Sequence, residues 1–166
     1  MSHTLESTLV HVIRKRLVSD LPQQIRVCLD TLSDEQTWWR PNEKANSIGN
    51  LILHLCGSNA YYLLYAIAGN DLERDRTAEF SERRYIPRAE LLQKFDDVVA
   101  ASDRVLSGLD PSRLMEATER TGKTTTFAQI LLHVLSHFST HTGQIVYATK
   151  LLQEGAIDEL WMKTRG

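Results

Sequence analysis

The chain has 166 residues, a length that suits one domain on one hydrophobic core. Its apolar fraction of 42% and charged fraction of 24% are ordinary for a globular protein. A formal net charge of −2 argues against nucleic acid as the main partner.

Four long segments carry helical periodicity, and strand-like alternation is scarce. The first runs from about Leu5 to Leu32, with apolar positions at Leu9, Val10, Ile13, Leu17, Leu21, Ile25, Cys28 and Leu32. Its basic cluster, Arg14 to Arg16, reads as a solvated face. Pro22 lacks a donor and crowds the preceding turn, so a kink, or two helices meeting near Asp20, is expected. Ser33 to Gln36 fits a capping box for one short turn, and the chain then extends past Pro41. Ser47 is the natural N-cap of a second long helix, Ile48 to about Ala68, closed by Gly69-Asn70. Residues 51–68 of that helix are the most apolar stretch, but His54, Ser58 and Asn59 interrupt it and make it a poor membrane span. Such a helix must bury most of its circumference, in a core or against a partner chain. No membrane partner is expected.

Residues 71–86 are polar and too long for a tight turn, which lets the chain cross the bundle. Pro87 opens a third helix to about Leu109. Asp110-Pro111 caps one more short helix, and residues 117–126 suggest a small hairpin around Gly122. Thr126 with Gln129 opens the fourth helix, which runs through Leu152 into an irregular tail. The expected architecture is all-α: a single domain over 1–166, a four-helix bundle with a long crossover between helices two and three. The sequence opens without a charged segment leading into a continuous apolar one, so no secretory leader is expected. Cys28 and Cys56 lack metal-type spacing and read as buried thiols in a reducing, cytoplasmic setting.

The fourth helix contains three of the six histidines, His133, His137 and His141, at a strict spacing of four. Each such step turns about 40° and rises about 6 Å, so His133 and His141 are too far apart to share one ion. Phe127, Ile130, Val134, Phe138, Ile145 and Leu152 define the core face. His141 falls inside that stripe, His137 on its flank about 60° from Val134, and His133 about 100° away. His137 and His141 are therefore the pair that can aim inward. Two readings stand: a metal site, or core imidazoles bonded to Tyr, Ser or water. His54, on the flank of helix two, is the candidate third ligand. Cys56 points about 160° away from it and should not be one. His3 and His11 lack partners. The Thr121–Thr126 run lacks the glycine and the preceding strand of a phosphate loop. Tyr61, Tyr62 and Tyr65 read as core packing. Asp75 and Glu79 read first as exposed loop charges, and second as acceptors for a ligand histidine.

The segments "HFSTHTGQI" and "NSIGNLILHL" resemble the two metal-ligand motifs of the DinB/YfiT-like superfamily. "WWRPNEKANSIGNLILHLCGSN" with "ERDRTAEF" is similar to an uncharacterised DinB-related subfamily, and the resemblance spans nearly the whole chain. It implies an up-down-down-up bundle, often dimeric, holding a divalent ion on His54, His137 and His141. Thr142 departs from it, since many relatives have arginine there. Imidazole suits several metals; Zn or Ni is expected first, with Fe or Mn behind. Characterised relatives include thiol-dependent transferases and isomerases. The resemblance thus implies a metal-dependent enzyme, thiol S-transferase-like or hydrolase-like, acting on a small-molecule thiol or electrophile. The alternative is a non-catalytic bundle, metal-stabilised, that binds a ligand or partner. No residue is identified as a general base. A homodimer through helices two or three is expected, because helix two is apolar on more than one face.

Overall fold

The computed structural model describes residues 4–155 and 157–160. His3 and most of the tail expected to be irregular lie outside them. Helix α1 (Leu5–Lys15) starts at a Thr4 capping box and runs through a π-helical turn, Arg16–Asp20, into α2 (Leu21–Thr31). The expected kink at Pro22 is replaced by this wider turn. The Leu21 N–H bonds to Arg16 O, five residues back, so the helix absorbs the proline by widening and stays continuous. After α3 (Asp34–Trp38), helix α4 (Ile48–Asn59) also passes into a π-helical stretch, Ala60–Ile67, and ends at Gly69 with φ +80°. Helix α5 (Arg76–Ser81) lies in the crossover. Helix α6 (Arg88–Gly108), a 3-10 turn (Pro111–Met115), a hairpin of β1 (Ala117–Thr118) and β2 (Thr125–Thr126), and α7 (Phe127–Leu152) complete the order.

Named contacts give the helix directions. Arg14 meets Asp103 and Arg26 meets Asp96, so α1–α2 and α6 are antiparallel. Gln36 bonds Gln153 and Cys28 lies against Thr149, so α2 and α7 run the same way. His54 meets His137 while Tyr62 meets His133, so α4 opposes α7. The order is up-down-down-up, as the resemblance implies. The core between the rods is apolar, with Leu17, Ile25, Leu29, Ile52, Leu55, Phe95 and Phe138 buried. No helix among the described residues is long and apolar enough to cross a membrane.

The crossover differs from the expected polar loop. Asp75 Oδ1 accepts the Ala78 N–H and starts α5. The short helix then lies on α4, because Asn50, buried at the start of α4, donates to Glu79 O and Glu82 O. Arg40 supports the same joint by bonding Asn50 Oδ1 and Glu82 O. Trp38 donates its indole N–H to Ile86 O and places its ring against Gly49, where a Cβ would lie 2.8 Å from it. Helix α5, with α6 and α7, covers α4 on several sides, so its apolar circumference is satisfied within the chain.

Candidate metal centre

His54, His137 and His141 converge at the seam between α4 and α7. The Nε2 atoms of His54 and His137 are 2.9 Å apart, and those of His141 and His137 are 3.0 Å apart. One nitrogen from each ring lies within 4.8 Å of the others. His133 stays outside, exposed, stacked on His137 at 5.8 Å between ring centroids. His11 is exposed on α1 and is not part of the group.

His141 is half-buried, not in the centre of the core face. The buried face of α7 also includes Leu131, Thr142 and Thr149. Both threonines satisfy their hydroxyls on the carbonyl four residues back, Phe138 O and Ile145 O, and so bury like apolar residues. Their inclusion turns the core stripe away from the histidines by a few tens of degrees. The pair consequently sits at the edge of the core, where the seam opens toward solvent. Thr142, where the resemblance leads to an arginine in many relatives, is a core residue here.

Glu79 overturns its first reading as a loop charge. It is only 8% exposed, and its Oε2 accepts the Nδ1–H of His54 at 2.7 Å. Arg74 holds the same carboxylate with two bonds, 2.7 and 2.9 Å. Burial opposes ionisation of Glu79, but the bonds from His54 and Arg74 outweigh it and hold its pKa below the usual value. Gly57 makes the approach feasible, since a Cβ there would fall on the carboxylate, 2.7 Å from Cδ. The glycine three residues after the histidine was the available sequence signal. Asp75 takes no part and caps α5. Phe80 closes over the other side of His54, with ring centroids 4.5 Å apart.

These bonds fix tautomers. An ionised Glu79 only accepts, so His54 carries its proton on Nδ1 and presents a lone pair at Nε2. His141 bonds Gln144 Oε1 through Nδ1 at 2.7 Å, and likewise presents a lone pair at Nε2. Both lone pairs face His137 Nε2, which holds at most one proton and can satisfy only one of them. Burial, together with the His141, His54 and His133 rings, pushes the His137 pKa down to about 4. Burial also lowers that of His141, against the bond to Gln144. Burial thus favours the neutral forms of His137 and His141, with nitrogen lone pairs converging and an electrophile wanted between them. Two nitrogens about 2.0–2.1 Å from one ion, at angles from 90° to tetrahedral, are about 2.9–3.4 Å apart. The observed 2.9 and 3.0 Å fall in that range. Two of the three pairs thus match shared ligation, the third lies within 4.8 Å, and the three rings form a group that could hold a metal ion; the Glu79–His54 bond is the usual support for a ligating imidazole.

Cys28 and Cys56 are unpaired thiols. Burial pushes Cys28 up to about 11 and Cys56 up to about 12, so both stay protonated, and neither belongs to the group.

The fold is that of DinB-like proteins. The structure resembles a DinB-like protein (YjoA) from Bacillus subtilis, with TM-score 0.65, 16% identity, and coverage of 87% of this chain and 94% of that one. It also resembles a DinB-like protein from Bacillus cereus, with TM-score 0.64, 16% identity, and coverage of 80% and 86%. The chain belongs to the family described as "Protein of unknown function (DUF1572)", whose profile matches residues 5–164. A comparison with curated proteins gave no match.

Proposed function

We propose that the chain is a cytoplasmic divalent-metal enzyme of the thiol S-transferase or hydrolase type, holding Zn or Ni on His54, His137 and His141. The observation that carries this reading is the donor set: three imidazoles, converging at an edge of the core that opens to solvent. Structural zinc usually takes four protein ligands, whereas catalytic zinc takes three and keeps a position for water or substrate. An ion bound there would supply Lewis acidity, lowering the pKa of a thiol or a water. The chain's own residues supply position. Glu79 and Arg74 lock the His54 tautomer, Gln144 locks that of His141, and Phe80 screens His54 from solvent. The test is elemental analysis of protein purified without an affinity tag, followed by assay with low-molecular-weight thiols and electrophiles. About one equivalent of Zn or Ni per chain, with thiol consumption that a chelator stops, is the expected result. Protein that takes up no divalent metal would overturn the reading.

A second reading, a non-catalytic metal-stabilised bundle, is favoured by one observation. The histidines tie α4 to α7 and, through Glu79, to α5, so an ion there would also fasten the crossover. It predicts strong unfolding by chelator without metal-dependent turnover on any substrate.

A homodimer belongs to the same proposal. With α4 covered internally, the support shifts to the exposed side chains of Trp39, Tyr147 and Leu151, which border one apolar hollow with Ile48 and Leu51. Light scattering at micromolar concentration is expected to give twice the chain mass. Replacing both Tyr147 and Leu151 with Glu is expected to halve it.

A further inference from the structure

Ser58 interrupts the apolar run of α4 and is not one of the three converging histidines, yet it reaches them. It lies one turn beyond His54, on the same side of the helix, and is only 2% exposed. Its Oγ is 3.4 Å from Nδ1 of His137, and among the described residues that nitrogen is the hydroxyl's one hydrogen-bond partner. Helix α4 therefore meets His137 at both ring nitrogens: His54 faces Nε2 and Ser58 faces Nδ1.

Each of the three rings thus has an oxygen beside Nδ1, but the oxygens differ in kind. The Glu79 carboxylate and Gln144 Oε1 only accept, so they keep the protons of His54 and His141 on Nδ1 whatever stands between the rings. A serine hydroxyl both donates and accepts, and its rotor can turn the hydrogen toward the ring or away from it. His137 is accordingly the ring that can carry its proton on either nitrogen. Without a cation, a proton on His137 Nε2 keeps three lone pairs from meeting across 2.9 and 3.0 Å. Nδ1 is then a lone pair, and the Ser58 O–H donates to it. When a cation takes the Nε2 lone pairs, a neutral His137 has its proton on Nδ1, and Ser58 Oγ accepts it.

We infer that Ser58 is a reversible positioning residue: its hydroxyl turns from donor to acceptor as the His137 proton moves from Nε2 to Nδ1, which clears the place between the rings for a cation. The proton count does not change. One proton leaves Nε2 to water, one arrives at Nδ1 from water, and the ring is neutral before and after. The buried side of the ring has a partner in both states, and a fixed acceptor or an apolar side chain at 58 would provide one in at most one of them. The inference rests on the proposed function for the cation, and on the three Nδ1 contacts alone for the tautomers.

The experiment is the ¹⁵N spectrum of the histidine rings, which separates protonated nitrogens from lone-pair ones, recorded on wild type and Ser58→Ala without metal and with one equivalent of Zn. In wild type, His54 and His141 are expected to carry their protons on Nδ1 in both samples. His137 is expected to carry its proton on Nε2 without metal and on Nδ1 with it. Ser58→Ala is expected to shift the metal-free Nδ1 resonance of His137 and to weaken Zn about tenfold in competition with a chelator, the low end of the loss for a partner that supports a ligand. Alanine suits a helix, and unchanged amide spectra elsewhere report an intact fold. A His137 already protonated on Nδ1 in metal-free wild type, or one that binds Zn through Nδ1, overturns the inference. So does a Ser58→Ala protein that holds Zn as tightly as wild type. Failure of the metal reading shows separately, as protein that takes up no Zn. The metal-free spectra then still decide: a His137 Nδ1 resonance that Ser58→Ala moves supports the donor hydroxyl, and one that it leaves in place overturns it.

Discussion

Replacing His137 with alanine is expected to strip the protein of its ion while leaving the helices intact. His137 is the hub of the group, since its Nε2 faces both His54 and His141, and no other pair is as close. Removing it leaves two imidazoles on different helices. Loss of a group that merely supports a ligand costs about 10- to 100-fold in metal affinity, and loss of the central ligand should exceed that. The metal-free fold should notice little. His137 is half-buried at the edge of the core, and its removal relieves the crowding of two lone pairs against a nitrogen that holds at most one proton. The bundle rests instead on the apolar stripes of its four rods, so a change of about 1 kcal/mol is expected in the metal-free protein. Melting of wild type and His137→Ala, each with and without chelator, checks both halves. A variant that keeps a full equivalent of metal would remove His137 from the site. A variant that unfolds as far as the chelated wild type, with both far less stable than the metal-loaded protein, would assign the ion to stability.

The fourth helix shows how far the sequence could be read and where reading stopped. Spacing selected His137 and His141 over His133 as the pair able to meet His54, and those three rings do come together, because a period of four on a 3.6-residue helix drifts by a calculable angle. Burial was misjudged because an apolar stripe drawn from hydrocarbon side chains omits Thr142 and Thr149, which hide their hydroxyls on their own helix. Helix limits, the N-caps at Ser33, Ser47 and Thr126, and the hairpin at Gly122 were legible, since each depends on a few adjacent residues. The π-helical turn before Pro22 was not, because a proline in a helix is accommodated equally by a kink or by a wider turn, and tertiary packing chooses. Glu79 was the largest misranking, since its role as an acceptor for a ligand histidine stood second to that of an exposed loop charge. It lies in a charged stretch that looks solvated, and it is buried because Asn50 and Arg40, far away in sequence, fasten the crossover over His54. The local trace of that partnership is Gly57, one helical turn beyond His54, where a Cβ would fall on the carboxylate.

Gly57 offers a test of that partnership in which the sign of the effect is informative. In an ordinary helix interior, glycine to alanine stabilises by about 1 kcal/mol, because the unfolded chain loses freedom. Gly143 on α7 is such a case: a Cβ there meets nothing within 4 Å, and Gly143→Ala is expected to raise stability by up to that amount. Gly57→Ala should do the reverse. Its Cβ would fall on the Glu79 carboxylate, 2.7 Å from Cδ and 3.0 Å from Arg74 Nε. The glutamate side chain is flexible enough to swing away, so the steric clash itself costs little. What is lost is the bond to His54 Nδ1 and part of the Arg74 pairing, with a buried imidazole N–H left without its acceptor. Charged hydrogen bonds of this kind contribute about 1.5–3 kcal/mol, which exceeds the helical gain and leaves a net destabilisation of about 0.5–2 kcal/mol. The ion should respond as well, because His54 loses the carboxylate that fixes its tautomer; a fall in metal affinity of about 10- to 100-fold is expected. Glu79→Gln distinguishes positioning from packing. It keeps the shape and can still accept from Nδ1, so it should retain most of the stability while weakening the metal through loss of the negative charge. ¹⁵N shifts of the His54 ring, read in metal-free protein, report the tautomer directly. A Gly57→Ala protein that is more stable than wild type, with His54 still protonated on Nδ1, would mean that Glu79 does not position this histidine.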